Sequence, residues 1–272
     1  MLGNILRTNQ MKPFHSATVR SGGNAKTIKG DKAGEFVTAI MYLAPARMAG
    51  GANLCSMATL AGCDPSHGGG CLVKAGRASY TPNINLARIA KTQRYLASRE
   101  AFLAELVRDI GRFARKAAKH GLKPAVRLNG TSDILWETAH PCYRDGQRFA
   151  SIFEAFPEVQ FYDYTKVYKR AYKSLPANYS LTLSYSEASP RYQDAVIAAA
   201  KDTGTNIAVV YRTKALRDIL TGDHLEGQTR MMNRPVIDGD ETDMRFTDAK
   251  GVIVGLYAKG PAKRDSSGFV IG

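Results

Sequence analysis

FVTAIMYL, residues 36–43, is apolar and partly β-branched along its whole length, the pattern of a strand buried on both faces. A glycine-rich loop follows at once, NLCSMATLAGCDPSHGGGCLVKAGR (53–77). A helical pattern then starts after Pro82 and runs to about Lys119, with Leu103, Leu106, Val107, Ile110, Phe113, Ala114 and Ala117 spaced by threes and fours. Gly121 and Pro124 stop it. Further strands are expected over 125–128, 159–164, 179–185, 206–211, 235–237 and 251–257, and helices over 150–156, 191–201 and 216–220. Strand and helix alternate, which argues for an α/β fold with parallel strands: a full or partial (β/α) barrel, with an open doubly wound sheet as the alternative.

In such folds the chemistry gathers where strands end. Here the cysteine loop follows the first strand, Asn129, Ser132 and Asp133 the second, Asp163, Thr165 and Lys166 the third, Ser184 and Glu187 the fourth, and Arg212 the fifth. The expected organisation is a basic leader, 1–23, before a single domain, 24–272.

The chain has 272 residues, 44% hydrophobic and 23% charged, with a net charge of +14. That balance suits a globular protein with a polyanionic partner, nucleic acid or a nucleotide. No run of about eighteen apolar residues predicts a membrane-spanning helix. There are four cysteines, three of them clustered, which suits a reducing compartment better than a disulfide framework. Nothing in the pattern assigns an oligomeric state.

Cys55, Cys63 and Cys71 are the candidate metal ligands, because thiolates gathered on a flexible loop suit a soft metal or an iron–sulfur cluster. Three thiolates would leave one position open for chemistry. Their C-x7-C-x7-C spacing matches no common zinc knuckle; His67 could complete a closed zinc site, and Cys142 stands apart. In NGTSD (129–133), Asp133 could act as nucleophile or proton acceptor, or Ser132 and Asp133 could simply cap a turn. Tyr162 and Tyr164 share one strand face and Asp163 takes the other. Two weaker signals are DGDETD (238–243), which could hold a hard cation or form a solvated turn, and the surroundings of Lys259 and Gly268, which could cradle a phosphate.

The ordered set YLAPA (42–46), the cysteine loop (55–77), VRLNGTSDILWE (126–137), FPEVQFYDYTK (156–166), PVIDGDETDMRF (235–246) and GVIVGLYAKG with SGFV (251–270) resembles an uncharacterised tailed-bacteriophage protein family. More distantly, a cysteine loop after the first strand is similar to radical S-adenosylmethionine (SAM) enzymes, although the usual spacing is tighter and their glycine-glycine-glutamate signature is absent. That resemblance implies a [4Fe–4S] cluster on Cys55, Cys63 and Cys71, SAM at the open iron, and Asn129, Ser132, Asp133, Lys166, Ser184 and Glu187 arranged around SAM and substrate in the host cytoplasm. Two other readings stand beside it. One is a base-exchanging phage barrel with Asp133 as nucleophile, Asp163 as acid or base, and structural zinc on the cysteines. The other is a non-catalytic, zinc-containing nucleic-acid-binding protein.

Overall fold

The computed structural model describes residues 11–32, 34–74, 76–138, 140–221 and 230–272. Its strands are β1 (Val19–Ser21), β2 (Phe36–Met41), β3 (Lys123–Arg127), β4 (Cys142–Arg144), β5 (Gln147–Phe149), β6 (Gln160–Thr165), β7 (Tyr179–Ser184), β8 (Ile207–Tyr211), β9 (Arg230–Met231), β10 (Arg234–Asp238), β11 (Ile253–Tyr257) and β12 (Val270–Ile271). The helices are α1 (Ala25–Asp31), α2 (Pro82–Ala97), α3 (Arg99–Lys119), α4 (Ile152–Ala155), α5 (Pro190–Thr203) and α6 (Lys214–Thr221).

One ten-stranded sheet organises the chain in the order β1-β2-β3-β6-β7-β8-β11-β10-β9, with β12 also paired to β8. Every neighbouring pair from β2 to β10 is parallel; only β1 and β9, at the edges, pair antiparallel. The α/β reading holds, but closure does not. No pairing joins β1 to β9 among the described residues, so the sheet is open and not a full barrel. The doubly wound alternative is not met either in its winding: β2, β3, β6, β7 and β8 lie side by side in chain order, without the early reversal such folds need. α1 bridges the open side, where Lys26 Nζ reaches Gly239 O at 3.4 Å and the Asp240 carboxylate at 3.4 Å.

Two apolar layers cover one face. Val37, Ala39, Met41, Val126, Leu128 and Phe161 pack against Leu103, Leu106, Ile110, Phe113 and Ala117 of α3. Farther along, Leu183, Ile207, Val209, Tyr211 and Ile253 pack against Tyr192, Val196, Ala199 and Ala200 of α5. The long helix expected from 82 to 119 is two helices. Ser98 is extended (φ −153°, ψ 102°), and its hydroxyl accepts from Ala101 N at 3.2 Å, ending α2 and capping α3.

The expected leader boundary at residue 23 falls inside the fold. β1 pairs with β2, Phe14 is buried, and Thr18 donates from Oγ1 to Asp109 Oδ2 at 2.7 Å. Residues 1–10 lie outside the described residues. At the other end, SGFV runs into a strand: Val270 and Ile271 form β12, beside the part of β8 that β7 leaves unpaired. Lys259 is committed to Asp240, Nζ to Oδ1 at 2.9 Å. DGDETD is no solvated turn. Asp240 and Asp243 are buried, Asp240 against Lys26, Lys259 and Arg217, and Asp243 against Arg127, Tyr162 and Tyr164.

Candidate functional site

The parallel strands all end at one edge, and there the cysteine loop is stitched to the turn after β3. Thr131 Oγ1 donates to Leu43 O (2.5 Å), Gly130 N to Met41 O (3.0 Å), and Asp133 N to Leu54 O (2.9 Å). The last segment of the chain clamps the loop from the far side: Ser267 Oγ donates to Gly62 O at 2.5 Å. Gly70 sits so close that a Cβ there would meet the Phe269 ring at 2.6 Å, so only glycine lets Cys71 approach. Asp64 organises the middle of the loop, accepting from Ser66 N, Ser66 Oγ and Thr59 Oγ1.

Within this frame the three cysteines face a common neighbourhood. Cys71 is buried, and Cys55 and Cys63 are half-buried. Burial drives the Cys55 thiol far above its ordinary range, and the charges of Asp133, Cys63 and Cys71 push it further. Burial likewise pushes Cys63 up to about 12, with Lys166 pulling it down and Cys71, Asp133 and Asp64 pushing it up. Lys166 is lowered by burial and held up by Cys63, Asp133, Cys71 and Cys55 in turn. Its Nζ donates to Ser184 Oγ at 2.6 Å and lies 4.1 Å from the Phe269 ring centre. Each of the three thiols thus lies within Coulombic reach of Lys166.

The donor chemistry fits a soft metal or an iron–sulfur cluster. Cys63 and Cys71 oppose ionisation of Cys55, and Cys71 that of Cys63, a conflict that a bound cation relieves. The described residues nevertheless hold no group of three or more His, Cys, Asp or Glu side chains already drawn together as a ligand set.

The other expected site residues divide sharply. Lys166 and Ser184 reach the thiol site. Asn129 and Ser132 turn inward: Asn129 Oδ1 accepts from Ser132 Oγ, Ile134 N and Trp136 Nε1, and its Nδ2 donates to Ile134 O and Asp163 Oδ2. Asp133 is fully engaged, accepting from Thr165 Oγ1 (2.7 Å), Lys166 N (2.7 Å) and Arg170 Nη1 (3.2 Å). Burial raises its carboxyl above the usual range despite Arg170. Asp163 has no exposed surface, accepts from Asn129 and Tyr179, and is pushed up to about 7 by burial, with Arg127 opposing. Glu187 accepts from Tyr185 OH at 3.2 Å. Cys142 is core beneath α3.

Sequence reasoning missed Arg170, Glu137 and Arg88. Arg170 is 1% exposed; its Nε and Nη2 fork onto both oxygens of Glu137 (2.9 and 2.7 Å), and Nη2 also donates to Tyr179 OH. The one available signal was a short basic run, KVYKRAYK (166–173), indistinguishable from a solvated turn. Beside the cysteine loop lies a cavity of about 500 Å³, lined in part by Arg47, Asp64, Ser66, Ser79 and Asn85.

Fold and site together define an open, mostly parallel α/β protein with a thiol-lined strand edge. The sequence model of the gene product 88 family, a phage-type family, matches residues 17–272, and the chain belongs to that family. No curated protein and no solved structure matches it. Among the described residues no helix is long and apolar enough to cross a membrane.

Proposed function

We propose that this protein is an iron–sulfur enzyme of the radical SAM type, acting on a nucleic acid or a nucleotide in the host cytoplasm. Cys55, Cys63 and Cys71 would hold a [4Fe–4S] cluster. One observation carries the reading: the loop bearing the three cysteines is bonded to the turn after β3 and to the last segment of the chain, at the C-terminal strand edge where Lys166 stands. A cluster held by three thiolates supplies an electron and leaves one iron free to bind SAM.

The chain's own groups have distinct parts in this reading. Lys166, fixed by Ser184 and Phe269, offsets negative charge gathered on the thiolates. Asp133, itself held by Arg170, accepts from the Lys166 backbone N–H and fixes that residue at the strand end. Their complete set of bonds favours positioning over nucleophilic attack, so the base-exchange reading gains no support from this geometry. The net charge of +14 supports an anionic substrate.

The test is to prepare the protein without oxygen, reconstitute it with iron and sulfide, and measure SAM binding by equilibrium dialysis. Binding that disappears in Cys63→Ser is expected. A cluster-loaded protein that ignores SAM removes the SAM part, and stoichiometric zinc with no cluster replaces the whole reading with a structural zinc site.

A further inference from the structure

Five guanidinium groups are buried in the described part of the fold, and four of them meet a carboxylate: Arg127 meets Asp243, Arg170 meets Asp133 and Glu137, Arg217 meets Asp240, and Arg245 meets Asp248. The fifth, Arg88 on α2, does not. It is 8% exposed, yet no acidic side chain pairs with it among the described residues. Its Nη1 donates to Asn85 Oδ1 at 3.0 Å, its guanidinium carbon lies 5.3 Å from the Tyr42 ring centre, and its Nε is buried with no acceptor. Burial and the charge of Arg20 both work against its protonated form. A buried charge without a partner is costly, and a fold keeps one only where something else meets it.

Its position says what that is. Tyr42 directly follows β2, at the same strand edge as the cysteines, and Cys71 lies within Coulombic reach of Arg88. Asn85, which Arg88 touches, lines the 500 Å³ cavity beside the cysteine loop. Arg88 is thus joined to that cavity through Asn85 and to the cysteine loop through charge, with Arg20 adding positive charge. Asn85 holds the guanidinium in place with its Oδ1 while its Nδ2 donates to Ala78 O at 3.2 Å, and a planar guanidinium with an unused donor is the complement of an oxyanion.

We propose that Arg88, with Asn85 beside it, is the anion-recognition group of this site and takes a carboxylate or phosphate of the ligand. The proposal rests on the reading of this edge as a ligand site and deepens it by giving the ligand a negative charge. Anion binding needs neither cluster nor SAM, so the two can fail separately.

The experiment is thermal unfolding of the metal-free full chain, titrated with inorganic phosphate or with acetate against chloride at matched ionic strength. In the wild type one of the two raises the melting temperature saturably; phosphate alone identifies a phosphate ligand, acetate alone a carboxylate. Arg88→Met should melt no lower than wild type without anion, because an uncompensated charge has been removed, and should lose the anion response. Arg88→Lys, which keeps the charge but not the planar fork, should need about tenfold more anion. No shift beyond chloride in the wild type, or an undiminished shift in Arg88→Met, overturns the proposal. So does an Arg88→Met protein that melts well below wild type or fails to fold, since that makes Arg88 a structural brace.

Discussion

Two polar clusters lie side by side at the C-terminal strand edge, and they are built on opposite principles. Around Arg170 every group is answered: Glu137 by a two-pronged guanidinium, Asp133 by Arg170, Thr165 and the Lys166 backbone, and Tyr179 between Arg170 and Asp163. Around Lys166 the groups conflict. Cys63 and Cys71 push the Cys55 thiol up, Cys71 pushes Cys63 up, and one lysine ammonium lies within Coulombic reach of all three. A closed network fixes geometry because no partner can improve it; an unfinished one leaves work for a ligand. Asp133 belongs to both, and so transmits the rigidity of the first to the second.

That contrast can be broken most sharply at Arg170. Arg170→Met strands two buried carboxylates and should cost about 3–5 kcal/mol, a fall in melting temperature on the order of 10 °C by calorimetry. Next comes a pH effect. Asp163 titrates at about 7 in the fold, above its unfolded value near 3.8, so the folded state holds the extra proton between those values. Its contribution is therefore fully present below about pH 4 and lost as pH rises through 7. Denaturant unfolding across that window should show a weaker decline with rising pH in Asp163→Asn; an unchanged slope would assign the titration elsewhere. The thiol cluster should behave in the reverse manner to Arg170: Cys63→Ser is expected to change the stability of the metal-free protein by only about 1 kcal/mol, while metal retention collapses. Smallest of all is Glu35→Gln. Its pair with Lys123 spans 2.7 Å, but both side chains are largely exposed, and the loss should stay within about 1 kcal/mol.

Much of this edge was legible in the sequence because strands buried on both faces read as apolar runs, as in residues 36–43, 206–211 and 251–257. Their order put the cysteines, Lys166 and Ser184 at one rim. What escaped was set by pairing over long stretches of chain. β1 and β12 are three and two residues long, too short for any periodicity, and they exist because β2 and β8 offer unpaired edges. Arg170 meets Glu137 across 33 positions, which no local pattern reveals. Asp133 looked like a nucleophile for the same reason: its turn is visible in sequence, and the three donors that occupy it are not. The β4–β5 hairpin is different. Its Asp145-Gly146 turn, with φ of 51° and 80°, is a strong local signal that the sequence carries openly.

What the three cysteines hold decides the function of this edge. Iron, zinc and acid-labile sulfide should be measured on protein purified without oxygen, for the wild type and for Cys63→Ser in parallel. About four iron and four sulfide per wild-type chain are expected, and a variant stripped of both. A wild type that carries no iron, or one zinc per chain, contradicts it.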